Sequence, residues 1–149
     1  MFEIELKNPN EMVIKAKEKV VNINVAQSEI DAGLSVGKLV GAGEYEIGDI
    51  SIVGVNTAEG GVMYRVDVDG VKIGVVNAGV KTEELDELGP IQILGTPERK
   101  YVSIIEPKIL IPMGNMDFAE VKASVNVEKK LKIKNANSLP AVMEVWKLD

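Results

Sequence analysis

The chain contains neither cysteine nor histidine. Lack of thiols excludes a disulfide framework and a thiolate nucleophile, and is consistent with a reducing compartment. Lack of imidazole removes the usual base of a serine or cysteine triad. Together the two absences take away the main donors from which zinc sites are built, leaving only carboxylates. Aromatic residues are scarce at 4%. The core must therefore be filled by Val, Ile, Leu, Ala and Met, and the valine and isoleucine share favours strands. No apolar run reaches the ~20 residues of a membrane span. The opening "MFEIELKNPNE" carries acids where a signal peptide would carry a basic segment, so the expected location is the cytoplasm. With a net charge of −6 and no lysine/arginine run broken by aromatics, no nucleic-acid partner is expected.

What is present is ordinary for a globular chain: 149 residues, 46% hydrophobic and 27% charged. That length fits one domain, expected to span 1–149, and no internal repeat, linker or low-complexity segment divides it. The first half reads as hairpins. "MVIKAKEKVVNINV" alternates around a polar "KEK" turn. In "EYEIGDISIVGV", Tyr45 and Ile47 share a face with Ile50 and Ile52 if the chain turns at Gly48-Asp49. "VMYRVDVDGVKIGVV" turns at Asp69-Gly70, a register that sets Val68 against Val71 and Asp67 against Lys72.

The second half alternates helices with strands. Thr82 is expected to cap a short helix with Glu83 and Glu84 in its first turn, Leu85 and Leu88 inward and Gly89 as its stop. "IQIL" reads as a buried strand. Thr96-Pro97 reads as a second helix start, with Tyr101, Val102 and Ile105 inward and Pro107 as the stop. "KILI" is a further buried strand, Phe118 with Val121 suggests another helical turn, and "KLKIK" and "AVMEVWKL" read as terminal strands.

In this order "GAGEYEIGDISIVGV", "VDGVKIGVVNAGVKTEELDELGPIQIL", "IEPKILIPMGN" and "KLKIKNANSLPAVMEVWKL" resemble the small metallo-β-lactamase-fold proteins. The likeness is to the Zn-dependent hydrolase-like group related to ascorbate-6-phosphate lactonases. It implies an α+β, β-rich fold: two packed, mainly antiparallel or mixed sheets with a few short outer helices, and a metal site at one edge of the sandwich. It also implies ligands that this chain does not carry. The "HxHxDH" loop is missing, since only "AQSEIDAGLSVGKLVGA" separates "VNINV" from "GEYEIG". An upstream family histidine falls on Val75, the bridging aspartate on Ala78, and the histidine after "IPM" on Gly114. The segment near the first hairpin is "KNPNE".

Other candidates have simpler readings. "DVDG" offers carboxylates for a hard cation, but its glycine is not at the EF-hand position and a hairpin turn accounts for it. Glu44, Glu46 and Asp49 read as the wet face of a strand. Gly41-Ala42-Gly43 lacks the Lys-Ser/Thr of a phosphate loop. Asn77, Gly114 and Asn115 would lie beside the vestigial site as ligand-binding candidates. The sequence thus supports a non-catalytic scaffold, binding or assembly protein with no catalytic residue, metal or cofactor. An alternative is a hydrolase-like enzyme with a carboxylate or amide site rebuilt at the same edge. Because the segment between Val25 and Gly43 is too short to replace the missing metal loop, an uncovered strand or edge is expected. Self-association, most simply as a dimer, or a protein partner would cover it.

Overall fold

A computed structural model describes residues 1–149. The strands are β1 (Phe2–Asn8), β2 (Glu11–Ala16), β3 (Lys19–Asn24), β4 (Glu29–Asp31), β5 (Leu39–Val40), β6 (Gly43–Ile47) and β7 (Ile50–Asn56). They continue with β8 (Val62–Val68), β9 (Val71–Val75), β10 (Ile93–Thr96), β11 (Ile109–Pro112), β12 (Ser124–Glu128), β13 (Lys130–Ile133) and β14 (Glu144–Leu148). One sheet has the order β13-β1-β2-β3-β4-β5, the other β12-β14-β11-β10-β9-β8-β7-β6. The first is antiparallel throughout. The second changes at β9: its hairpin half is antiparallel, while β9, β10, β11, β14 and β12 run parallel.

The two sheets bury one apolar layer between them. Phe2, Ile4, Met12, Ile14 and Ile23 of the first sheet share it with Ile52, Tyr64, Val66, Ile73 and Ile111 of the second. A second cluster covers the far side of the mixed sheet. There Met63, Leu94, Leu110 and Val145 meet Leu85 and Leu88 of a 3₁₀ segment, Thr82–Leu88, and Tyr101 of helix α1, Lys100–Ile105. This second layer explains why Met63 and Tyr64, neighbours on opposite faces of β8, are both buried. No helix is long and apolar enough to cross a membrane.

The hairpin registers follow the alternation of the sequence. Ile47 opposes Ile50, Tyr45 opposes Ile52 and Val68 opposes Val71. Lys72 reaches the Asp67 carboxylate at 3.5 Å. At the tip of the β8–β9 hairpin both Asp69 (φ 50°) and Gly70 (φ 76°) take the left-handed conformation that a two-residue turn of this hand requires.

Three local readings need correction, and one strand was not foreseen. Thr82 does not cap the 3₁₀ segment; the cap position is Lys81, whose backbone N–H donates to the Glu84 carboxylate at 3.1 Å. That carboxylate also accepts from Ala58 N–H at 2.8 Å, so tertiary contact displaces the local cap. Thr96 ends β10 instead of opening a helix, and its buried hydroxyl accepts from Glu98 N–H at 3.1 Å. The helix starts at Lys100. Phe118 and Val121 form a turn, closed by Val121 N–H to the Phe118 carbonyl at 3.0 Å, and no helix. Both side chains pack on the outer cluster without helical backbone. The chain after them forms β12, which local pattern alone does not signal.

Candidate functional site

Parallel neighbours end at the same side of a sheet, and this brings the candidate residues together. Gly95 is in register with Val75 on one side and Ile111 on the other, and Thr96 with Pro112. The loops that follow β9, β10 and β11 therefore emerge side by side, with Asn77 and Gly114 separated by the width of two strand spacings, about 10 Å. Both lie on one edge of the sandwich.

The first sheet reaches across that edge. The β1–β2 turn at Pro9-Asn10 is held by Asn10 N–H to Asn8 Oδ1 at 2.9 Å. From it the Pro9 carbonyl accepts from Gly114 N–H at 3.1 Å, and the Asn10 carbonyl from Val25 N–H at 2.9 Å. Asn77 completes the bridge, donating from Nδ2 to the Val25 carbonyl at 3.3 Å. Gly114 has φ 57°, a left-handed conformation suited to glycine that turns the chain sharply after the amide bound to Pro9. Beneath, Met12 and Met113 fill the layer so closely that a Cβ on Gly95 would lie 2.4 Å from Met12 Cε and 3.2 Å from Met113 Sδ. Two of the candidates thus serve as sheet-to-sheet ties. Asn115 is exposed and has no hydrogen-bond partner.

What remains open at this edge is a groove of about 330 Å³ beside Gly114. Its wall is apolar, from Leu6, Pro9, Pro112 and Phe118, and Lys7, Lys147 and Asp149 stand around it. Sequence reasoning missed these charged residues; no local signal joins Lys7 to Lys147, which border one groove only through the packing of the two sheets. Neither Asn77 nor Asn115 lines the groove. A larger groove, about 610 Å³, lies away from this edge beside α1 and carries charges of both signs, including Arg99, Lys100, Glu106 and Glu120.

The donor set does not fit a transition metal. Val75 is fully buried in the core, Ala78 carries only a methyl and Gly114 no side chain. No three carboxylates are placed to hold a metal ion: Glu11, Glu29 and Asp31 border one polar pocket, but they are not grouped as ligands. The two buried groups with a shifted pKa are tyrosines remote from chemistry: burial raises the pKa of both Tyr64 and Tyr101. Tyr101 donates its hydroxyl to the Val80 carbonyl at 2.5 Å, while the Tyr64 hydroxyl has no partner.

This architecture is a reduced metallo-β-lactamase-like sandwich. A crystal structure from Thermotoga maritima, described as a candidate Zn-dependent hydrolase of the metallo-β-lactamase superfamily, superposes with a TM-score of 0.72 over 100% of both chains. Sequence identity in that match is 15%, so the likeness is one of fold. No family model and no curated protein matches the chain.

Proposed function

We propose that the protein is a non-catalytic scaffold, a binding or assembly module built on a hydrolase fold whose metal site has been lost. The observation that carries this reading is the state of the edge where the fold would place a metal. The positions matched to ligands are Val75, Ala78 and Gly114, and the space above them is crossed by the hydrogen bonds from Gly114 to Pro9 and from Asn77 to Val25. A hydrolytic site needs an open, polar cavity with a positioned base or a metal-bound water. Here the edge offers amides already committed to structure, and a neighbouring groove with an apolar wall. The resemblance to the ascorbate-6-phosphate-lactonase-related group supports descent from such an enzyme.

The test is elemental analysis of the purified protein after dialysis, paired with hydrolysis assays on lactone, ester and phosphodiester substrates with Zn²⁺ or Mn²⁺ added. Less than about a tenth of an equivalent of bound metal and no turnover above buffer are expected, given the lack of thiolate and imidazole donors. Stoichiometric metal with turnover abolished by a chelator would overturn the reading.

A further inference from the structure

We propose that β12 is a self-complementary edge through which two copies of the chain pair antiparallel, centred on Val125, with Lys122 of each copy facing Glu128 of the other. The inference names a partner for the assembly reading above and rests on that reading for its functional meaning.

A sandwich of two open sheets has four edges, and three of them are blunted. β5 has only two residues. β6 shows Glu44 and Glu46 to solvent, and β13 carries Lys130 and Lys132. Short length and charge are the usual defences of an edge against further pairing. β12 has neither in its centre: it reads "SVNVE", with Val125 and Val127 exposed at 47% and 58%. Only β14 pairs with it.

The hydrogen bonds specify which groups are free. The Glu128 carbonyl accepts from Asp149 N–H at 3.0 Å, so Glu128, Asn126 and Ser124 turn their backbone groups toward β14. By the alternation of a strand, Val125 and Val127 turn theirs outward. An antiparallel pair centred on Val125 lets the two Val125 residues exchange both backbone bonds and gives each Val127 N–H the Ala123 carbonyl of the other copy. The Ala123 N–H is already committed to the Val121 carbonyl at 3.0 Å.

Charge selects this register from its neighbours. Centred on Val125, Ala123 opposes Val127, and Lys122, which lies just before β12 in the turn closed by the Ala123–Val121 bond, comes beside Glu128 of the other copy twice by symmetry. Centred on Asn126, Lys122 would find no acidic partner, because the residue that would follow, Lys130, belongs to β13 of the other sheet and pairs with Glu3. Centred on Val127, Val125 would face Lys129. Lys122 and Glu128 are both exposed, and neither is in an ion pair within the monomer. The result is a continuous sheet running through both copies, with a two-fold axis at Val125.

Sedimentation velocity on the full chain from about 1 to 100 µM decides the matter, with far-UV circular dichroism on each variant to establish folding. The wild type is expected to dimerise in this range, more weakly in 0.5 M NaCl. Lys122→Glu and Glu128→Lys should each weaken the dimer by at least about tenfold, because each converts two attractive cross-strand pairs to repulsive ones. The double swap K122E/E128K should restore it. Val125→Pro, which removes the central N–H donor, should give a monomer. A wild type monomeric at 100 µM, or a dimer that ignores the single charge reversals or is not rescued by the swap, overturns the proposal. A metal-free, inactive monomer would sink the pairing and leave the scaffold reading intact. A hydrolytically active, metal-loaded dimer that obeys the swap would do the reverse.

Discussion

Replacing Tyr64 by phenylalanine should stabilise the protein. Tyr64 is 0% exposed, lies between the sheets, and its hydroxyl has no hydrogen-bond partner. A buried hydroxyl without a partner costs about 1–3 kcal/mol, and phenylalanine removes it with almost no change of shape. The vacated oxygen volume gives back part of the gain as a small void. The expected net is about 1–2 kcal/mol, or ~2–8 °C in Tm for a chain of this size. Tyr101 is the internal control. Its hydroxyl donates to the Val80 carbonyl, so Tyr101→Phe should lose about 0.5–1.5 kcal/mol and leave a carbonyl unpaired. Alkaline pH separates the pair further. Burial raises both phenol pKa values in the folded state, whereas an unfolded tyrosine ionises near pH ~10. The contribution of each is therefore whole below pH ~10 and declines as pH rises above it, because the unfolded chain has then lost protons that the folded chain retains. Y64F should show a shallower alkaline loss than wild type. The measurement is urea unfolding at pH 7 and thermal scans from pH 8 to 11. A Y64F variant less stable than wild type by 1 kcal/mol or more would mean that the hydroxyl has a bound partner, and the reasoning would fail.

Three further outcomes are expected. Gly70→Ala should cost about 1–2 kcal/mol in urea unfolding, since φ 76° is left-handed while the nearest contact to an added Cβ is Ala136 at 4.0 Å, so the loss is purely backbone. Ile73→Ala, in the centre of the inter-sheet layer, should lose about 2–5 kcal/mol by leaving a cavity between β8 and β10. By NMR titration the Asp49 carboxyl should ionise below the usual aspartate range, because Lys17 hydrogen-bonds and charge-pairs with it, and Lys17→Met should return it to normal. The small stability this pair contributes is present above pH ~3.9 and is lost as pH falls through the lowered value, and salt should weaken it.

The hairpins were legible because two codes agree in them: period-two alternation and a turn residue that alone fits the left-handed positions, as at Asp69-Gly70. The parallel half was legible only in its cores. "IQIL" and "KILI" announce burial, yet β10 starts two residues later than that pattern suggests and runs through Thr96, because its ends are set by β9 and β11. β12 was invisible for the same reason, since its partner β14 lies beyond a further strand and a loop, and no turn connects them. Phe118 and Val121 have helical spacing but reach the outer cluster from a simple turn. At the candidate edge, the nearness of Asn77 and Gly114 follows from strand order, whereas the sequence named them only through the family resemblance. Their engagement by Val25 and Pro9 was not legible, because carbonyls of another sheet leave no trace in side-chain pattern. Asn115, with equal claim in the sequence, makes no contact of this kind.

The antiparallel sheet joins the two ends of the chain: β1 is flanked by β2 and by β13, with Phe2 opposite Ile133 and Glu5 opposite Lys130. During synthesis the first five strands can form a meander as soon as they emerge. Their apolar face must then wait for β7 to β11, and β1 keeps a bare edge until residue 130 has been made. β14 is later still, yet it must enter between β11 and β12. Loop closure over such separations is slow, and the waiting edge is open to other chains meanwhile. A copy interrupted before residue 144 would hold a finished hairpin half and a parallel half missing its bridge, since β11 and β12 are joined only through Glu144–Leu148.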